Sequence, residues 1–252
     1  MKSIISLRDR KLCGLLCEYG KTLQETKDNV PGWNANKISD IDFFYGVLFD
    51  QHIRAELAWN APNELRKRLG HLDPRLIAEM NEADLQRAMQ YPKALYPYIH
   101  NMPNWVIEAS KLLVERYDGK PEEIWNDNPR ADDLQRRFAE FKGIKQKKSS
   151  MATNILVRDK HVKVSGVDFR GIDVSGDVHV RRVFLRTGLI NDDTIEAAVH
   201  AARTLNPQYP GELDLPAWHI GRNFCHPKSP ECPKCPLSTE CPRRVDLNAK
   251  GA

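Results

Sequence analysis

Apolar and polar residues follow one another along the 252-residue chain mostly in the manner of helices. Over 6–23, Leu7, Leu12, Leu15, Leu16 and Tyr19 recur at spacings that gather them on one face, which predicts an amphipathic helix. Pro31, Gly32 and several asparagines then make a loop. Ser39-Asp40-Ile41-Asp42 offers caps for a second helix through Phe43, Val47 and Leu48, whose far end carries Asp50, Gln51, His52 and Arg54. Further helical windows fall near 61–70, 74–80, 83–90, 103–117 and 131–140, separated by Pro92, Pro97, Pro103, Gly119 and Pro121. Across 158–175 the period changes, because Val162, Val164, Val167, Phe169, Ile172 and Val174 are interleaved with polar residues and glycines. That stretch reads as a hairpin or a long loop. Helical pattern returns at 178–186, 194–205 and 215–224, and no repeat or low-complexity tract interrupts it.

Composition narrows the class without naming a function. At 41% apolar and 29% charged residues, the chain is ordinary for a soluble globular protein, which excludes collagen-like, disordered and membrane-bundle classes. The longest strongly apolar stretch, 43–49, is far short of the roughly 20 residues that cross a bilayer. Arg8, Asp9, Arg10 and Lys11 interrupt the N-terminus, so neither a membrane partner nor a secretory signal is expected and the cytoplasm is the expected compartment. A net charge of +4 suits a nucleic-acid partner and many others besides.

Cysteine placement is more specific. Cys225, Cys232, Cys235 and Cys241 are spaced C-x6-C-x2-C-x5-C, with Pro227, Pro230, Pro233, Pro236 and Pro242 between and after them. A short, stiffened loop of this kind can wrap one inorganic centre with four thiolates. Structural zinc also takes four cysteines, more often as two C-x2-C knuckles, and four unrelated thiols are the third reading. Cys13 and Cys17, one helical turn apart, read as buried reduced thiols.

With Trp218 and Gly221-Arg222 just upstream, this cysteine loop resembles that of the endonuclease III group of helix-hairpin-helix DNA glycosylases. The resemblance implies a [4Fe-4S] cluster on Cys225, Cys232, Cys235 and Cys241. It also implies an all-α fold in two lobes: a six-helix lobe over 32–165, and a cluster lobe built from 1–31 and 166–252, with DNA crossing the groove between them.

Two further segments carry the resemblance. Phe141-Lys142-Gly143-Ile144-Lys145-Gln146-Lys147-Lys148 is similar to the family's hairpin, L-P-G-V-G-x-K-T, with Gly143 and Ile144 matching the turn and Lys145 standing where the second glycine belongs. A tight turn feeding a helix N-terminus presents backbone N–H groups to a DNA phosphate, and Lys142, Lys145 and Lys148 add positive charge; a solvated basic turn is the reading without the other motifs. Lys147 falls where bifunctional members keep the lysine that attacks the sugar C1′, with Lys148 one position away. An attacking amine must be neutral, which desolvation, neighbouring cations and a helix N-terminus all favour. Asp177-Val178-His179-Val180-Arg181-Arg182-Val183 resembles D-x-H-[IV]-x-R-[IV], whose aspartate is catalytic and opens a helix. An N-cap role is compatible with that chemistry, and His179 and Arg182 read as supports. The interval from Lys147 exceeds the family's by roughly a dozen residues, so spacing alone points to Asp168. Asp168 is followed by Phe169-Arg170-Gly171, without the histidine or the helix, and Asp177 is therefore the expected residue.

Val47-Leu48-Phe49-Asp50-Gln51 resembles L-L-S-A-Q, where the glutamine enters the space left by a flipped base; a polar helix end is the plainer reading of Gln51. Asp50 and His52 depart from the family's small residues. Tyr45-Gly46 lies where adenine glycosylases keep a glutamate, which argues against adenine excision. Tyr98, Ile99 and His100 occupy a loop position suited to a wedge. What the resemblance implies is a monomeric base-excision glycosylase with AP-lyase activity, acting on duplex DNA that carries a damaged or modified base, in a prokaryotic cytoplasm at the nucleoid. Oxidised pyrimidine is the first expected substrate. A monofunctional enzyme for alkylated purine, 8-oxoguanine, deaminated or modified bases, a non-catalytic DNA-binding relative and a zinc-stabilised binding module are the alternatives.

Overall fold

The computed structural model describes residues 5–25, 38–51, 53–95, 101–166 and 169–245. Among them are eleven α-helices, three short 3-10 helices and no strand, so the fold is all-α. The chain divides into two compact units, Pro31–Ser165 and a second unit made of Met1–Val30 with Gly166–Ala252. No helix among the described residues is long and apolar enough to cross a membrane.

The first unit is built around α2 (Asp40–Phe49), in which every residue from Phe43 to Phe49 is buried. A helix that is apolar all round belongs at the centre of a packed unit, and this one is surrounded accordingly. Its N-terminus is set by Ser39, whose side chain accepts from the Asp42 N–H. Gly46 lets the Trp59 indole lie directly on the helix, since a Cβ there would come within 2.6 Å of the ring. Around α2 stand α3 (Ala55–Leu69), α4 (Pro74–Ala78), α5 (Glu82–Gln90), α6 (Met102–Tyr117), α7 (Ala131–Ala139) and α8 (Gln146–Arg158). The observed α3 begins six residues before the window read from the sequence and runs through Pro62. A proline normally ends a helix by clashing with the carbonyl four residues back, so the sequence pattern favours a later start than the fold uses.

In the second unit, α9 (Val178–Thr187), α10 (Ile195–Leu205) and α11 (Asp214–Asn223) pack with α1 (Leu7–Glu25). Helices α9 and α11 touch backbone to backbone, because a Cβ on Gly221 would lie 2.7 Å from both the Cβ and the carbonyl oxygen of His179. Leu12 and Leu16 of α1 are fully buried in this core, and Gly20 accommodates Pro216.

The segment over 158–175 forms no hairpin among its described residues. Its single bridge joins Ser165 to Arg130, with the Ser165 N–H donating to Pro129 O at 2.8 Å. Val162 and Val164 pack on the core of the first unit. Ile172 and Val174 are buried in the second, where Asp173 takes a two-pronged ion pair from Arg203 at 2.7 and 2.8 Å. The alternation of valines and polar residues thus records a loop pinned to two separate cores, a pattern that period alone does not distinguish from strand.

Candidate active site and cysteine loop

The α7–α8 hairpin turns at Gly143, whose φ of +86° is the left-handed region that glycine enters without strain. A Cβ there would also meet the Trp105 indole at 2.9 Å, so the position excludes side chains on two grounds. Lys145 needs no glycine: its φ of −115° and ψ of −168° are ordinary extended geometry, and it serves as the N-cap of α8 without a side-chain cap bond. The departure from the two-glycine motif therefore leaves the turn intact. Ile144 is 1% exposed and belongs to the core, so any contact it makes with a phosphate runs through its backbone. Lys142 and Lys145 are exposed, and Lys142 Nζ donates to Asn104 Oδ1 at 2.7 Å.

The adjacent lysines of the first turn of α8 differ sharply. Lys147 is part-exposed, with Nζ 3.4 Å from Asp50 Oδ2. Lys148, expected as a surface charge for DNA, is instead 4% exposed. Its amine donates to Leu48 O at 2.6 Å and lies 5.6 Å from the centre of the Trp105 ring. Burial pushes the Lys148 amine down to about 7, helped by the charge of Lys147 and opposed by Asp50. A helix standing in water would have left both amines solvated; here the unsatisfied C-terminal carbonyl of α2 draws one of them into the core. Asp50 caps the same end of α2, its N–H reaching Gly46 O and Val47 O, and is itself 8% exposed. Gln51 follows, half-buried, just beyond the helix.

Asp177 opens α9. Its Oδ1 accepts from the N–H groups of His179 at 2.8 Å and Val180 at 2.9 Å, a full side-chain cap. Burial pushes the His179 imidazole below its ordinary range, with Asp177 acting the other way. Lys147 and Asp177 belong to different units. His52, Tyr98, Ile99, His100 and the rejected Asp168 lie outside the described residues.

Cys225, Cys232, Cys235 and Cys241 line one cavity, together with Arg186. Burial raises the Cys235 thiol to about 11 and raises Cys241 too, and the neighbouring sulfurs act in the same direction on each. Two arginines of α9 reach across to this loop. Arg182 donates to Cys225 O at 2.7 Å and Gly221 O at 2.6 Å. Arg186, 2% exposed, donates to His226 O and Pro227 O, both at 2.7 Å, and to Cys225 Sγ at 3.4 Å. Its Nε has no hydrogen-bond partner. A buried guanidinium without a carboxylate needs a compensating anion, and a centre held by four thiolates supplies one, so the residues present fit a [4Fe-4S] cluster. Among the described residues, no three Cys, His, Asp or Glu side chains are gathered tightly enough to hold a single metal ion.

Solved structures share this fold over nearly the whole chain. A trapped endonuclease III–DNA covalent intermediate superposes with a TM-score of 0.69 over 97% of this chain and 99% of its own, at 17% identity. The chain has the endonuclease III fold. A non-covalent endonuclease III–DNA complex follows at a TM-score of 0.68 and 17% identity, covering 97% of this chain and 99% of that one. A thermostable thymine-DNA glycosylase gives 0.66 and 12% identity over 95% and 97%. No protein-family model and no curated protein matches the sequence. Within the endonuclease III fold, the sequence reading missed Arg186 and the buried state of Lys148. Arg186 had a signal in its i+4 spacing from Arg182, which puts both on one face of α9; Lys148 had none, because its partner is a backbone carbonyl a hundred residues away.

Proposed function

We propose that this protein is a base-excision DNA glycosylase with AP-lyase activity, in which Lys147 is the nucleophile and Asp177 the assisting carboxylate. The observation that carries this reading is the part-exposed amine of Lys147 on the first turn of α8, directly after the turn at Gly143 and beside the end of α2 that bears Gln51. A base stacked in duplex DNA hides its C1′, so the nucleotide must be flipped out before attack. Backbone N–H groups of the hairpin, with Lys142 and Lys145, grip the phosphates, and Gln51 fills the space opposite the orphaned partner. Lys147 Nζ, after giving up a proton to water, bonds to C1′ as the N-glycosidic bond breaks and the base departs with the bonding electrons. Asp177, held in place by two helix N–H groups, stabilises the positive charge developing on the sugar. The nitrogen then sheds a proton and the C1′–O4′ bond opens, its oxygen taking up a proton, which gives the imine; the imine permits loss of a C2′ proton and of the 3′ phosphate, which nicks the strand.

The solved relatives of this fold include a trapped covalent DNA intermediate, which supports a covalent route here. Oxidised pyrimidine is the proposed substrate class. Gly46, packed under Trp59 with no room for a side chain, supports the exclusion of adenine-type chemistry that needs a glutamate there. Cys225, Cys232, Cys235 and Cys241 would hold the [4Fe-4S] cluster, with Arg186 balancing its charge. When bound, the cluster supplies a rigid anionic anchor for the loop, since four cysteines leave no open coordination site.

Incubation with duplexes carrying defined lesions, scored with and without alkaline workup, separates base release from strand scission. The proposal expects release of an oxidised pyrimidine with scission before alkali. Release without scission would make the enzyme monofunctional, and binding without release would leave a DNA-binding protein. Iron and acid-labile sulfide with a broad visible band are expected from protein purified without oxygen; zinc in their place would contradict the cluster assignment.

A further inference from the structure

Two lysines and one carboxylate meet where α2 ends and α8 begins, all within the first unit. Lys148 is committed: its amine is buried between Leu48 O and the Trp105 ring and has no route to a substrate. Lys147 keeps a solvent-facing side, and Asp50 Oδ2 stands 3.4 Å from its Nζ. Asp50 is in turn fixed by its own backbone, which caps α2 through Gly46 O and Val47 O, and by its burial. Among the described residues, Asp50 of α2 is ion-paired with Lys147, and Lys148 beside it on α8 feels the charge of both.

We propose that Asp50 is a positioning residue for the attacking amine: it confines Lys147 Nζ at the end of α2, next to Gln51, so that the amine meets the sugar of the flipped nucleotide. This rests on the reading of Lys147 as nucleophile. The physical reason is the freedom of the lysine side chain. An unpaired lysine spreads its amine over many rotamers, and confinement by a fixed carboxylate converts that spread into a defined approach. Asp50 itself touches no substrate. Lys148 contributes by holding the carbonyl of Leu48, two residues before Asp50, which ties the end of α2 to α8.

Taking an anion away from an amine makes the amine easier to deprotonate, and on that ground alone attack would quicken. Slower attack in a variant without the carboxylate therefore reports lost positioning. The substrate is a duplex with a preformed abasic site, which needs no base release, and the readout is single-turnover borohydride trapping at saturating DNA, with affinity measured alongside by fluorescence anisotropy. Asp50→Asn is expected to slow trapping about ten-fold at unchanged affinity, and Asp50→Glu to recover most of the rate. Carbodiimide treatment of the unaltered protein, followed by peptide mapping, should yield an Asp50–Lys147 amide, a result that needs no variant to fold. Trapping by Asp50→Asn that is as fast as or faster than the unaltered rate, or absence of the amide, overturns the proposal while leaving Lys147 as nucleophile. No adduct in the unaltered protein overturns the nucleophile and the positioning role together.

Discussion

The starts of α8 and α9 each carry one candidate catalytic residue, and they are built on opposite principles. At α9, Asp177 places a carboxylate on the positive end of the helix and satisfies two N–H groups, so the residue proposed for chemistry also stabilises the fold. At α8, the cap residue Lys145 makes no side-chain bond and lysines occupy the first turn, where the helix dipole disfavours positive charge. The α8 start is thus held by long-range contacts: Lys148 on Leu48 O, Lys147 on Asp50 and Trp105 against Gly143. One site is locally self-sufficient; the other spends stability to leave helix N–H groups and an amine available to an anionic ligand.

The most severe way to break this contrast is at Lys147. Lys147→Gln should abolish the trapped adduct and cut base release by about a thousand-fold or more, because the nucleophile is gone. Its stability should change by under about 1 kcal/mol, since a half-exposed ion pair contributes little. Single-turnover kinetics with a parallel melting curve reads both.

At α9 the two roles of the carboxylate come apart with the choice of variant. Asp177→Asn keeps a good cap and removes the charge, so base release should fall about a hundred-fold at nearly constant melting temperature. Asp177→Ala should lose the same activity and in addition about 1 kcal/mol of stability. Full activity in Asp177→Asn would remove Asp177 from the mechanism.

The smallest effect sharpens the α8 side. Lys148 has its amine lowered from 10.5 to about 7 in the folded state by burial. Between those values the unfolded chain binds the extra proton, so the stability of the protein should rise with pH across that window, by at most about 1.4 kcal/mol per pH unit, and level off below and above it. Denaturant titrations at a series of pH values test this, and Lys148→Met should flatten the slope. A slope unchanged in Lys148→Met would show that another group titrates there.

How much of this was written in the sequence follows the same contrast. Locally determined features were legible: the apolar run of α2 with its Ser39 cap, the Gly143 turn, the Asp177 start of α9 and the grouping of four cysteines. Features set by distant partners were not. Nothing beside Lys148 announces Leu48 O, nothing beside Asp50 announces Lys147, and the start of α3 ahead of Pro62 is decided by packing. The valines of 158–175 kept a strand-like period for a loop, because being pinned to a core at alternate residues imposes that period on any extended chain.

Of the two neighbouring amines on α8, the part-exposed Lys147 is the one that should meet DNA. Borohydride-trapped protein on an abasic duplex, digested and mapped by mass spectrometry, should carry the sugar remnant on Lys147 with Lys148 unmodified. The remnant on Lys148, or on neither lysine, would contradict it.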